Sequence, residues 1–251
     1  MSPTSDDAAQ RRAANEIAHG KHLAGQDPDL AWGWGSPAGR LRADRRAALI
    51  VEGGRVGANS RAVEVGCGSG LFTERFLRPG GKVVAVELSP DLLAYAQQRG
   101  LPPDQVRFVQ GRFEDAEFGR DFDAVIGSSV LHHLELDVAL ERAFDVLRPG
   151  GWLSFAEPNM LNPQIFLERK FRRFFPLVSP DETAFRAGPL RRRLEAAGFV
   201  DVQIEPFDWL HPAVPEGLIP AVSWVGSMLE RTPLARSFAG SLIIRAQRPP
   251  S

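Results

Sequence analysis

One cysteine, Cys67, stands among the 251 residues. No internal disulfide can form, and no cysteine cluster is available to hold zinc. The lack of disulfides agrees with a reducing cytoplasm, where the chain is expected. A charge surplus is missing too: 30 Lys and Arg stand against 31 Asp and Glu, a net charge of -1. Without a global positive field, neither nucleic acid nor an anionic membrane is an expected partner. Long apolar runs are also absent. The longest, Gly217 to Leu229, falls short of the ~20 residues that a membrane-spanning helix needs, so no integral membrane segment is expected. Met1 to Gln10 is polar and acidic, and Arg11-Arg12 leads into Ala, Asn, Glu and His rather than an apolar core. No secretory signal is expected from that. There is no internal repeat, which excludes solenoids and propellers.

What remains is a chain 43% hydrophobic and 24% charged, long enough to bury the core of one α/β domain without staples. It is organised around Val63-Glu64-Val65-Gly66-Cys67-Gly68-Ser69-Gly70. An apolar run stops at Gly66, three glycines alternate with small residues, and Leu71 to Leu77 follows with helical spacing. This reads as strand, tight turn and helix. Glycine permits positive φ and lets a ligand lie against bare backbone. The helix N-terminus beyond it offers free N–H groups, so the turn suits a nucleotide-like ligand. A second strand, Lys82 to Val86, ends at Glu87. An acidic residue about 20 positions past such a turn is placed to grip a ribose diol.

Further along, Ser89 can cap a helix with Pro90 at its first position. Strands are expected at Val106 to Gln110, Phe122 to Ile126 and Trp152 to Ala156, with a helix from Leu136 to Leu147 stopping at Arg148-Pro149-Gly150-Gly151. A helix over 189–197, a strand from Phe199 to Glu205 and a last strand from Ser241 to Ala246 complete the pattern. This alternation predicts a parallel sheet with helices on both faces. Residues 1–39 read as an N-terminal arm. Its first 18 residues are polar with little periodicity and are expected to be disordered. Its Trp32-Gly33-Trp34-Gly35 sets two tryptophans beside glycines, either a lid over a flat ligand or aromatics packing the arm onto the core. Residues 40–251 read as the main domain, beginning with a surface helix from Arg40 to Glu52. Insertions at about 157–189 and 206–233 are expected on the substrate side, since long loops near strand ends build specificity. Within the first, 166–175 mixes four cations with aromatics. It reads as an amphipathic helix with a solvated basic face, or as a surface for an anionic substrate or membrane.

The ordered set of motifs resembles the class I S-adenosylmethionine-dependent methyltransferases. It comprises Val63 to Gly70, then Val86-Glu87-Leu88-Ser89, then Phe122-Asp123-Ala124-Val125 with Leu131-His132-His133-Leu134, and Leu147-Arg148-Pro149-Gly150-Gly151. The likeness is strong over about residues 40–160. It implies a Rossmann-like seven-stranded sheet, mostly parallel with an antiparallel last strand, and helices on both faces. It also implies S-adenosyl-L-methionine as cofactor, with S-adenosyl-L-homocysteine as product. Gly66, Gly68 and Gly70 would underlie the methionyl and ribose parts; Cys67 between them reads as a small turn filler with its backbone near the ligand. Glu87 would bind both ribose hydroxyls, Leu88 would pack on the adenine, Glu64 would support the ammonium end, and Ser128 would sit near the methionyl group or sulfur. Where similar sequences have Gly-Asp-Ala after the third strand, this one has Gly111-Arg112-Phe113-Glu114-Asp115. Arginine cannot accept a hydrogen bond from the adenine amino group. Glu114 or Asp115 takes over, or Phe113 holds the ring.

Methyl transfer needs position and desolvation above all, and a base only where the acceptor must lose a proton. His133 and His132 follow the fourth strand and titrate in the range a general base requires. Adjacent residues on a helical turn point about 100° apart, so one of the two is expected to face the acceptor, with Glu157 and Asn159 as alternative polar groups. His19 and His22 stand at i, i+3 without suitably spaced carboxylates, and no metal is expected. The fourth strand lacks the Asp/Asn-Pro-Pro-aromatic turn of base-amino methyltransferases, and Cys67 is in the wrong place to attack carbon 6 of a pyrimidine. A small-molecule acceptor is expected instead, with Trp209, Leu218, Ile219, Val222, Trp224 and Met228 supplying apolar contact. The chain is expected to be a monomer or homodimer. Two other readings compete: a protein that binds S-adenosylmethionine without methylating, and a nicotinamide oxidoreductase. The second is weakened by Leu71 at the third glycine position of Gly-x-Gly-x-x-Gly, where close helix packing wants a small residue.

Overall fold

The computed structural model describes residues 5–171 and 183–250; for residues 5–9 it describes the backbone alone. Seven strands form one sheet: β1 Arg61–Val65, β2 Lys82–Glu87, β3 Val106–Gln110, β4 Phe122–Ser128, β5 Leu147–Pro158, β6 Val200–Phe207 and β7 Ser241–Gln247. Their order is β3-β2-β1-β4-β5-β7-β6. β1, β2, β3, β4 and β5 run parallel, and β7 lies antiparallel between β5 and β6. This is the sheet expected from the motif order.

The central strands are apolar almost without interruption because both faces are covered. Alternate side chains feed two cores. Val63, Val84, Val86 and Val125 point to one that includes Leu140, Val146, Leu190 and Leu194. Ala62, Val83, Ala85 and Ile126 point to the other, with Ala43, Ile50, Phe72 and Phe76. The helices that supply these partners are α3 Pro37–Gly53, α4 Leu71–Phe76, α5 Pro90–Gln97, α6 Leu136–Val146 and α8 Ala187–Ala196. β5 is longer than the sequence suggested. Its pairing with β4 shifts register between Phe122↔Leu147 and Ala124↔Trp152. Arg148 to Gly151 is therefore an irregularity inside the strand, with Gly150 at φ 77°, rather than a turn before it.

The N-terminal segment departs from expectation. Residues 1–18 read as disordered, yet Ser5–Ala24 is a helix, α1. Alanines at 8, 9, 13, 14 and 18 carry high helix propensity. Gly20 lets α1 sit directly on the start of α5: a Cβ there would come within 2.4 Å of Ser89 Oγ. A short helix, α2 Pro28–Ala31, follows, capped by Asp27. Asp29 ties it down, since its carboxylate accepts from Ser69 Oγ at 2.5 Å and pairs with Arg99.

In the two insertions lie α7 Pro163–Lys170, α9 Ile219–Arg231 and α10 Pro233–Arg236. The cationic stretch 166–175 is described only as far as Phe171. Among the described residues no helix is long and apolar enough to cross a membrane.

The tryptophan loop is seated by Gly39. A Cβ on Gly39 would stand 1.9 Å from the Gly33 carbonyl oxygen. Alanine is the better helix former by about 1 kcal/mol, but the clash is with backbone, and overpacking typically costs ~1–3 kcal/mol. Gly39→Ala should therefore lower the thermal midpoint by several degrees. An unchanged or raised midpoint in a calorimetric scan would contradict this seating of the loop.

Candidate functional site

The carboxyl ends of β1, β2 and β4 meet where strand order reverses, the place an open α/β sheet offers a ligand. The turn after β1 has Gly66, Gly68 and Gly70 at φ 62°, 52° and 78°, values that L side chains rarely adopt. Each glycine has a different neighbour. A Cβ on Gly66 would come 2.4 Å from Val130, one on Gly68 would meet the Trp32 ring at 3.1 Å, and one on Gly70 would meet Ala96 at 3.0 Å. Gly70 thus serves the packing of α4 on α5, and it does not line the cavity.

That cavity has a volume of about 520 Å³, within the usual range for small-ligand sites. Its floor holds Gly66, Cys67, Gly68, Glu87 and Leu88; Phe113, Glu114, Ser128, His132 and His133 form its walls. Ten of the twelve site residues expected from sequence are therefore gathered around one space. The exceptions are Gly70 and Glu64, the latter buried beneath the turn at 1% exposure. None of Trp209, Leu218, Ile219, Val222, Trp224 and Met228 lines it. Trp224 and Met228 instead face solvent from α9.

Sequence reasoning missed the roof. Arg12, Glu16, His19, Gly20 and Leu23 of α1 line the cavity, spaced three or four apart so that they share one helical face. The face is small and polar, so no hydrophobic period announces it. Both tryptophans line the cavity. Trp32 stands over Gly68, and Trp34 is also packed edge-on against Phe72 at 5.3 Å with the Arg42 guanidinium 5.2 Å from its ring.

Glu87 is the floor's charged group. Its Oε2 accepts from Gly68 N–H and its Oε1 from Ser89 N–H, each at 2.8 Å. Burial pushes its carboxyl above the ordinary range, partly offset by those N–H groups. Beside it, burial pushes the Glu64 carboxyl up to about 8 and the Cys67 thiol well above its usual value. A protonated Cys67 is a wall, not a nucleophile. After β3, Arg112 lies between Glu114 at 3.8 Å and Asp115 at 3.5 Å. Of the two carboxylates, only Glu114 lines the cavity.

The turn after β4 is held from two sides. Arg46 of α3, 2% exposed, donates to Ser128 Oγ, Ser129 Oγ, Ser241 Oγ and the Ala156 carbonyl. Burial lowers its pKa to about 10, which leaves it cationic. Ser129, also on the cavity wall, has φ 55°. Glu157 supports the other side: Oε1 accepts from Val130 and Leu131 N–H, and Oε2 lies 2.6 Å from His132 Nδ1. Burial alone would raise the Glu157 carboxyl, but His132 and the two N–H groups hold it below the ordinary range. His132 and His133 do not diverge as expected. Both rings line the cavity with centroids 4.2 Å apart, and His133 Nδ1 is 3.0 Å from Glu16 Oε1. Asn159 instead bonds the carbonyls of Ser237 and Ala239. Among the described residues, no group of three or more His, Cys, Asp or Glu could hold a metal.

Glu64 yields a pH prediction. Its folded pKa of about 8 lies above the 4.5 of an exposed glutamate. The folded state therefore keeps a proton that the unfolded chain has lost, and stability falls as pH rises between those values. Chemical denaturation should find the ligand-free protein less stable at pH 8 than at pH 5 by an amount on the order of a few kcal/mol. Glu64→Gln should flatten that slope. An equal slope in both proteins would place the titration elsewhere.

Residues 63–155 match the family model described as a methyltransferase domain. The ubiquinone biosynthesis O-methyltransferase of Xanthomonas oryzae pv. oryzae is 38% identical over 106 residues, 41% of this chain and 44% of the relative. The match thus spans under half the length of that relative. In solved structures, the N-methyltransferase NodS of Bradyrhizobium japonicum, bound to S-adenosyl-L-homocysteine, superposes with a TM-score of 0.64 at 17% identity, covering 94% of this chain and 99% of its own. The [4+2]-cyclase SpnF does so with a TM-score of 0.62 at 21% identity, covering 99% and 98%. At those identities the structures speak for the fold alone. Strand order, glycine turn and domain match agree: residues 63–155 are similar to the methyltransferase domain, in the arrangement the class I, S-adenosylmethionine-dependent resemblance implied.

Proposed function

We propose that this chain transfers the methyl group of S-adenosyl-L-methionine to a small-molecule acceptor inside the cavity beneath α1. The observation that carries the reading is Glu87, a buried carboxylate beside the positive-φ glycines Gly66 and Gly68 in a cavity of about 520 Å³. The residues suit such a cofactor. Glu87 keeps acceptor capacity for two hydroxyls, Gly66 and Gly68 bare the backbone, and Leu88 and Phe113 offer apolar contact to an adenine. Glu114 stands where an exocyclic amine needs an acceptor. Four carboxylates, Glu16, Glu87, Glu114 and Glu135, line the cavity against two arginines, Arg12 and Arg112. That excess favours a cationic ligand.

Bound there, the cofactor supplies an activated methyl on a sulfonium. The chain supplies alignment and water exclusion. His132, His133, Leu134, Pro158 and Trp32 form the remaining wall, and the two histidines are its candidate proton acceptors. A cavity of about 520 Å³ fits a small-molecule acceptor beside the cofactor, and O-methylation is the activity named for the Xanthomonas relative. A second reading has support from the neighbour titled a [4+2]-cyclase: the same cavity could hold the cofactor without using its methyl group.

Glu87→Ala should weaken S-adenosylmethionine binding about 10²-fold or more, since two charge-assisted hydrogen bonds of roughly 1.5–3 kcal/mol each are removed. Calorimetry finding unchanged affinity in the folded variant would remove Glu87 from the site. Transfer itself is tested by following S-adenosyl-L-homocysteine over a panel of hydroxylated and amino small molecules. Tight binding with no product across the panel would favour the second reading.

A further inference from the structure

Glu16 projects into the cavity from α1 and meets a candidate base. Its Oε1 lies 3.0 Å from His133 Nδ1. An ionised carboxylate only accepts hydrogen bonds, so the ring must carry its proton on Nδ1, leaving the Nε2 lone pair available. His132 likewise meets a carboxylate through Nδ1, that of Glu157. The two pairs differ in origin. Glu157 belongs to β5, is 0% exposed and also holds two backbone N–H groups. It is part of the fixed core. Glu16 is partly exposed and comes from a helix 117 positions earlier in the chain. That helix reaches the sheet domain over Ser89 and the cavity rim.

We infer that Glu16 is a positioning residue for His133: α1, seated over the cavity, brings the carboxylate that fixes this imidazole's tautomer and rotation. The inference rests on the methyl-transfer reading and narrows its substrate class to acceptors that bear an ionisable O–H or N–H. The acceptor's proton passes to Nε2 of His133, and the electron pair left on the acceptor takes the methyl carbon. The carbon–sulfur pair returns to sulfur. The imidazolium so formed is neutralised by Glu16. Seating α1 is then a condition for having the base and not merely for excluding water, which couples closure to chemistry. Other charges near Glu16 include Glu87 on β2, whose carboxyl it raises further, and Arg12, one turn earlier on α1 and on the same cavity wall.

The test is nitrogen NMR of the imidazole rings in the full chain, above the histidine titration range, with and without S-adenosyl-L-homocysteine. Both His132 and His133 should show the Nδ1–H state. Glu16→Leu should move His133 to a mixture of tautomers and leave His132, held by Glu157, unmoved. A His133 that keeps its Nδ1–H state in that variant, or an equal shift at His132, would overturn the assignment. The ligand-free spectra test the contact even where calorimetry finds no S-adenosyl-L-homocysteine binding to the parent protein, a result that would overturn the cofactor reading instead.

Discussion

Everything at the site depends on one buried carboxylate. Glu87 ends β2 and spends an oxygen on each of two neighbouring segments, Gly68 of the glycine turn and Ser89 at the start of α5. Burying a carboxylate is costly unless its lone pairs are used. Those two N–H groups meet that need and, in doing so, fix the turn against the helix. Glycine geometry makes the contact reachable, because a residue confined to negative φ at Gly68 would swing the N–H away. α1 then packs over the result through Gly20, and α2 is tied to the same turn through Asp29 and Ser69. Floor and roof are therefore joined at a single point in the chain.

The opposite wall has its own support. The turn after β4 carries Ser129 in a left-handed conformation, which a serine adopts at some cost. Arg46 below and Glu157 behind hold it there with complementary charges, each satisfied several times over. Such fully bonded buried ions act less as stabilisers than as fixers of one arrangement among several. Here the arrangement they fix is the placement of His132 and His133 beside the cavity. β5 and α1 each supply a carboxylate to one histidine, through Glu157 and Glu16.

The sheet was legible because its strands are buried on both faces and punctuated by glycine, so Val63, Val84 and Val125 announce themselves. The glycine turn and Glu87 were legible for the same reason: their chemistry requires particular residue types at particular spacing. The roof was not. On α1 the positions that face the cavity are Arg12, Ala13, Glu16, His19, Gly20 and Leu23, with Leu23 the one large apolar side chain among them, so the face that matters has no hydrophobic period. The alanine content and the basic residues Lys21 and His22 in its last turn were the available signals for a helix. Arg46 was equally hidden. In a run of Arg42, Arg45 and Arg46, nothing local distinguishes the cation that is buried from those that are not; only β4, β5 and β7, distant in sequence, decide it. The apolar residues of α9 misled in the opposite direction, since Trp224 and Met228 are as apolar as cavity residues but face away from the site.

The account's central claim is that the cavity between Glu87 and α1 is the cofactor site. The most direct measurement is a crystal structure of the full chain grown with S-adenosyl-L-homocysteine. The account predicts the ribose hydroxyls on the Glu87 carboxylate, the adenine between Leu88 and Phe113 with its amino group toward Glu114, and α1 closed above with Glu16 still on His133. A ligand bound elsewhere, or a cavity that stays filled by α1 and Trp32 at saturating ligand, would contradict it.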